Sequence, residues 1–201
     1  MYVSIKTHVI VLLIFATMLP FVLLRIFAYP IIQSDLKTVI MDNLEAIGHK
    51  QAELVTTWMR ERMKDVIVVA SNSNVIHSAK ITADEMERKD TVSYLETLVS
   101  EYGYKGAFIT DYNGTIILAT SEEQVGNDVS KMSFFTQAID GKTCASNIFP
   151  SKVSLINEFD ENELGVPTMF VASPLQDEND NIIGVVALRI HVGILSNLMH
   201  S

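Results

Sequence analysis

A chain of 201 residues with 24 Asp and Glu against 15 Lys and Arg has a formal charge of −9. This acidity speaks against nucleic acid as a partner, because phosphate binding needs a basic face. The single cysteine, Cys144, excludes an intramolecular disulfide and a cysteine-based zinc knuckle.

The first element is an apolar run from Val9 to Leu24, interrupted only by Thr17 and Pro20 and continued past Arg25 to Ile32. About 20 apolar residues cross a hydrocarbon core, so residues 9–32 read as a transmembrane anchor. Arg25 can snorkel at its outer end, with Phe27 and Tyr29 in the interfacial belt. A cleaved signal peptide is the rival reading, but Ile26-Phe27-Ala28 is a poor cleavage site. Lys6 and His8 precede the run and a long acidic body follows it. The positive-inside tendency then puts residues 1–8 in the cytoplasm and residues 33–201 outside it.

After the anchor, Ser34 can cap a helix beginning near Asp35. Leu36, Ile40, Leu44, Ile47, Leu54, Trp58, Val66 and Val69 recur mostly at helical steps, which predicts a long spine helix over about 35–70. Ser71-Asn72-Ser73-Asn74 ends it as a turn. Thr82 with Glu85 reads as a capping box for a second helix, with Val92, Leu95, Leu98, Val99 and Tyr102 on its apolar face and Gly103 at its end.

The period then changes to two. Ala107–Thr110 and Thr115–Leu118 flank Asp111-Tyr112-Asn113-Gly114, a strong hairpin signal. A short helix is expected at about Ser133–Asp140, a strand at Cys144–Phe149 and a loop from Asn157 to Gly165. Strands at Met169–Leu175 and Ile182–Ile190 flank the turn Asp177–Asn181. This order predicts an α+β domain: a five-stranded antiparallel sheet over about 105–192 with flanking helices.

No histidine pairs with another at metal-ligand spacing, and no nucleophile elbow, phosphate-cradling glycine loop or kinase signature is present. The expectation is a non-enzyme without metal or cofactor.

Several segments together resemble a known family. Leu44–Leu54 leading to Trp58–Arg62 resembles the first helix of Cache (PAS-like) extracytoplasmic sensor domains in bacterial histidine kinases, diguanylate cyclases and chemoreceptors. Ile109–Gly114, Val125–Ser130, Phe134–Gly141, Ala172–Leu175 and Ile182–Ile190 then match the family's string in order and spacing. The resemblance spans roughly Leu36 to Leu198 and implies a module that binds a small molecule between its sheet and covering loops.

In the amino-acid-binding subset, an arginine, two aromatics, a tyrosine, an acid and a final aspartate hold the ligand. The matching positions here are Met132, Phe134 and Phe135, Phe149, Ser151 and Arg189. Both amine-binding acids and the carboxylate-clamping arginine are thus replaced, so the resemblance does not imply an ordinary amino-acid sensor. Arg189 could face a carboxylate ligand instead, or point to solvent or pair with a nearby acid. The three phenylalanines suit core packing or pocket lining alike.

The expected function is extracytoplasmic small-molecule sensing in a membrane-bound bacterial receptor, single-pass in the inner membrane. Because the sequence stops at Ser201, soon after the last strand, the receptor's output domain is expected to lie outside it. The spine helix suits homodimerisation. The alternative is a membrane-tethered interaction or scaffold module of PAS-like fold without a metabolite.

Overall fold

The computed structural model describes residues 5–80, 82–156 and 162–193, except for the side chains of residues 7, 11, 27–35 and 156. The interfacial roles expected of Phe27 and Tyr29 lie outside the described side chains. The chain divides into two compact units, Met1–Glu53 and Leu54–Ser201.

In the first unit, helix α1 (Ile5–Leu23) runs into a five-residue π-helical segment, Leu24–Ala28. Residues His8–Ile26 have a mean hydropathy of 2.6 and are unburied, long and apolar enough to cross a membrane. Thr17 donates its hydroxyl to the Leu13 and Ile14 carbonyls, which satisfies the polar group within the helix. Helix α2 (Tyr29–Ala70) begins before the expected Ser34 cap. Leu36, Ile40, Leu44 and Ile47 of its apolar stripe are exposed, whereas Val66 and Val69 are fully buried.

Within the second unit, α2 ends where Asn72 caps a short helix, α3 (Ser73–Ala79), by accepting from the Asn74 amide. The Ser–Asn turn of the sequence is therefore also a helix start. Helix α4 (Glu85–Tyr102) is capped two residues later than expected. Asp84 accepts from the Glu87 amide at 2.7 Å, and the Glu87 carboxylate accepts from the Asp84 amide at 3.2 Å. The reciprocal pair needs an acceptor at the cap and an acid three residues on. Asp84 and Glu87 meet it in place of Thr82 and Glu85. Leu95 is fully buried, but Tyr102 is 60% exposed, and the buried aromatic at this joint is Tyr104. Gly103 closes α4 in the left-handed region at φ 72°.

The sheet is built from β1 (Gly106–Asp111), β2 (Ile116–Ala119), β3 (Cys144–Ala145), β4 (Phe149–Pro150), β7 (Pro167–Gln176) and β8 (Ile182–His191). Its antiparallel order is β2-β1-β8-β7-β3, with β4 also on β7. The expected fifth strand, Cys144–Phe149, is thus two short pieces on one neighbour. Ser146 causes the break: its hydroxyl accepts from the Phe170 amide at 2.9 Å, a place a ladder carbonyl would take. Helix α5 (Ser133–Ile139) lies where expected. A two-stranded ribbon pairs β5 (Leu155–Ile156), just before the segment expected as a loop, with β6 (Asn162–Glu163) inside it. Residues 157–161 of that expectation lie outside the described residues.

Both hairpins use an aspartate to tie their turns. Asp111 accepts from the Asn113 and Thr115 amides, and Asp177 from the Asn179 and Asn181 amides. Gly114 sits at φ 92°, where a side chain would also collide with Ser130. The seam between β1 and β8 joins residues 75 apart in sequence: the Thr110 hydroxyl accepts from the Val185 amide at 3.2 Å. There Gly184 lies so close to the Thr110 carbonyl that no Cβ fits.

Alternation gives the sheet two different faces. One carries Ala107, Ile109, Val171, Val186, Leu188 and Ile190 and packs with Val66, Val69, Val75 and Leu95 of the helices. The other carries Phe108, Phe170, Ala172, Val185 and Ala187 and packs with Phe134, Phe135 and Ala138 of α5.

Candidate functional site

The second face holds the chemistry. On β8, Val185, Ala187, Arg189 and His191 share one parity, so Arg189 points to the same side as Phe170, its register partner on β7. Phe108, Phe134 and Phe170 form a cluster with ring centroids 5.0–6.1 Å apart, and Phe149 lies 5.6 Å from Phe170. The Arg189 guanidinium lies 5.0 Å from the Phe170 ring centroid, a cation–π arrangement.

Arg189 is only 8% exposed. Its Nε and Nη1 have no hydrogen-bond acceptor, and no ion pair involves it among the described residues. Desolvation draws its pKa below the ordinary guanidinium value. Among the described residues the side chain meets neither open solvent nor an acid in an ion pair. A buried cation with unused donors is an arrangement that an anion completes, since a carboxylate offers two acceptors to the guanidinium fork.

Arg189 also lines a pocket of about 520 Å³, shared with Lys105, Gly106, Thr120, Gln124 and Ser154, with the exposed carboxylates of Glu96 and Glu123 at its wall. The volume suits a small molecule. Gly106 pairs with Arg189 across β1 and β8, and a Cβ there would face the Thr120 hydroxyl at 3.6 Å.

The other expected site residues divide. Phe134 and Phe135 are 1% and 4% exposed and sit in the core beneath this face, while Met132 and Phe149 pack half-buried against the same cluster. Five of the six expected residues, Arg189 included, therefore lie on one side of the sheet. Ser151 differs: its hydroxyl donates to the Val153 carbonyl at 2.7 Å and its backbone pairs with Val166 and Gly165. That hydroxyl is spent on building a turn. Lys105, Gln124 and Phe170 were not singled out from sequence. For Phe170 the strand alternation shared with Ala172 was an available signal. Lys105 lies just before β1 and Gln124 ends a single 3-10 turn, Glu122–Gln124, neither with a periodic mark.

Three solved structures show what the chain is similar to. The sensor domain of the histidine kinase DctB from V. cholerae superposes with a TM-score of 0.64 at 10% identity, over 82% of this chain and 60% of that one. The sensory domain of the Campylobacter jejuni chemoreceptor Tlp3, solved with isoleucine bound, gives 0.62 at 12% identity over 83% of this chain and 65% of that one. The E. coli DcuS sensor domain gives 0.54 at 13% identity over 75% of this chain and 98% of that one. At such identities the likeness is one of fold, and the chain spans less than two thirds of the DctB and Tlp3 domains. No protein-family model and no curated protein matches the sequence. The chain has the α+β fold of Cache-type sensor domains, and these neighbours are sensor domains.

Proposed function

We propose that the chain is the ligand-sensing part of a membrane-bound bacterial signalling receptor, and that Arg189 clamps a carboxylate of its small-molecule ligand. The observation that carries this reading is the buried guanidinium with two unused donors at the wall of a pocket. In this reading residues 1–8 are cytoplasmic, 9–32 cross the inner membrane and 33–201 form the sensor outside. Met132, Phe134, Phe135 and Phe149 do not line that pocket; they pack in the cluster that holds Phe170 under the guanidinium, and Ser151 builds a turn beside Val153 of the pocket lining.

The exposed stripe Leu36, Ile40, Leu44 and Ile47 supports a homodimer through the long helix, since a second copy would cover apolar surface left open in one chain. Ligand binding would then bias a two-state arrangement of these helices. Signal output and absence of catalysis belong to the same proposal.

A thermal-shift screen of the full chain in lipid nanodiscs, against mono- and dicarboxylates, amino acids, amines and purines, tests the clamp. A rise in Tm that vanishes in Arg189→Ala is the expected result. A rise that survives the substitution removes Arg189 from the site but keeps the sensor. No rise with any compound favours the scaffold reading, which the tight packing of Phe108, Phe134 and Phe170 supports.

A further inference from the structure

Between the spine helix and α4 lies a second pocket, of about 310 Å³. Its lining follows from helical spacing. Asp65 and Val69 lie one turn apart on α2, while Tyr94, Leu98 and Glu101 recur at four- and three-residue steps on α4. Tyr102 and Tyr104 complete the wall, so three tyrosines and two carboxylates surround a floor of Val69 and Leu98. No lysine or arginine lines it.

The two carboxylates differ in what they already hold. Asp65 accepts the Tyr104 hydroxyl at 2.7 Å and pairs with Arg62 at 3.1 Å. Arg62 in turn donates to the Tyr104 hydroxyl at 3.3 Å and packs against the Trp58 ring. Its charge is thereby matched by Asp65, outside the pocket lining. Glu101 is exposed and forms no ion pair among the described residues. The Tyr104 ring already carries the Arg62 guanidinium, 5.4 Å from its centroid. The pocket thus keeps one uncompensated negative charge beside the rings of Tyr94 and Tyr102, and aromatic rings attract cations through their quadrupoles.

We propose that this groove binds a small organic cation with an apolar body, an arylalkylamine being the matching class. Its ammonium meets Glu101 and the tyrosine faces, and its apolar part lies on Val69 and Leu98. The site shares no lining residue with the Arg189 pocket, although both border α4: the groove takes Tyr94, Leu98 and Glu101, the other pocket Glu96, Val99 and Ser100. An occupant here touches α2 itself through Asp65 and Val69, so it acts on the helix that would carry the signal.

Trp58, the chain's single tryptophan, is wired to the groove through Arg62 and Tyr104 and serves as reporter. The full chain in nanodiscs is titrated with phenethylammonium and, separately, with its neutral analogue 2-phenylethanol, following Trp58 emission and calorimetric heat. The expected result is saturable binding of the amine. It should weaken by about tenfold in Glu101→Gln and in Tyr102→Ala, the scale of one cation contact, and remain unchanged in Arg189→Ala. Both substituted side chains are exposed, and circular dichroism verifies that the variants are folded. Equal binding of the alcohol, parental affinity in both groove variants, or no saturable response from a folded chain would each overturn the proposal. Loss of binding in Arg189→Ala would also overturn it, by placing the amine in the other pocket.

Discussion

Replacing Arg189 by methionine should make the protein more stable while removing the proposed clamp. The guanidinium is 8% exposed, and its Nε and Nη1 have no acceptor. Each buried donor left unmet costs about 1–3 kcal/mol. Stacking on Phe170, at 5.0 Å, offsets roughly 0.5–2 kcal/mol of that cost. With about 2 kcal/mol for each of the two donor atoms and the upper ~2 kcal/mol for the stacking, the balance favours the variant by ~2 kcal/mol, since methionine keeps the apolar stem and brings no donor. For a unit the size of Leu54–Ser201, each kcal/mol moves Tm by about 2–4 °C, so Arg189→Met should melt about 4–8 °C higher. Calorimetry of the two full chains in nanodiscs, without added carboxylate, reads the difference. A variant that melts at or below the parent would refute the reasoning, because Arg189 would then have a compensating partner and no unmet demand for an anion.

Tyr104 is held above the ordinary phenol pKa, first by burial and then by the hydrogen bond to Asp65. A raised folded-state pKa means stability that is complete below the unfolded value, about 10, and is lost as pH rises from there toward the folded one. Tyr104→Phe should therefore remove part of the alkaline loss of stability, read as the difference between the two chains' Tm in a series above neutral pH. Gly184→Ala should destabilise by about 3 kcal/mol or more, seen as a lower urea midpoint, because the added carbon collides with the Thr110 backbone at the β1–β8 seam. Asp84→Ala should cost about 1 kcal/mol through loss of the α4 capping box, measured by the same denaturant titration.

Elements with strong local chemistry were readable from sequence. The aspartate-tied hairpins, the Gly103 stop and the α5 segment lie where composition put them, because their turns are decided by residues a few positions apart. Ser73–Ala79 escaped because its serines and asparagines suit a turn as well as a helix start, and packing decided between them: Ser78 is buried against Thr91 of α4. The break between β3 and β4 escaped because Ser146 acts through a partner 24 residues away. For the site, sequence parity could give the side of the sheet but not that Arg189 makes no ion pair among the described residues. Charge pairing depends on which loops fold over that face. The groove beside Asp65 and Tyr104 was equally hidden, since it exists only once α4 lies along α2.

The seam at Thr110 and Val185 also divides the sheet by the time at which its parts can form. The β1–β2 and β7–β8 hairpins each close over a handful of residues and need no other part of the chain. Joining them requires an encounter across 75 residues, and that loop closure is an entropic barrier the local pairs do not face. The pocket beside Arg189 and Gly106 lies on the joined strands, so it is expected to be among the last features to assemble during folding. A chain unfolding by the same route would lose its capacity to bind before its hairpins melt.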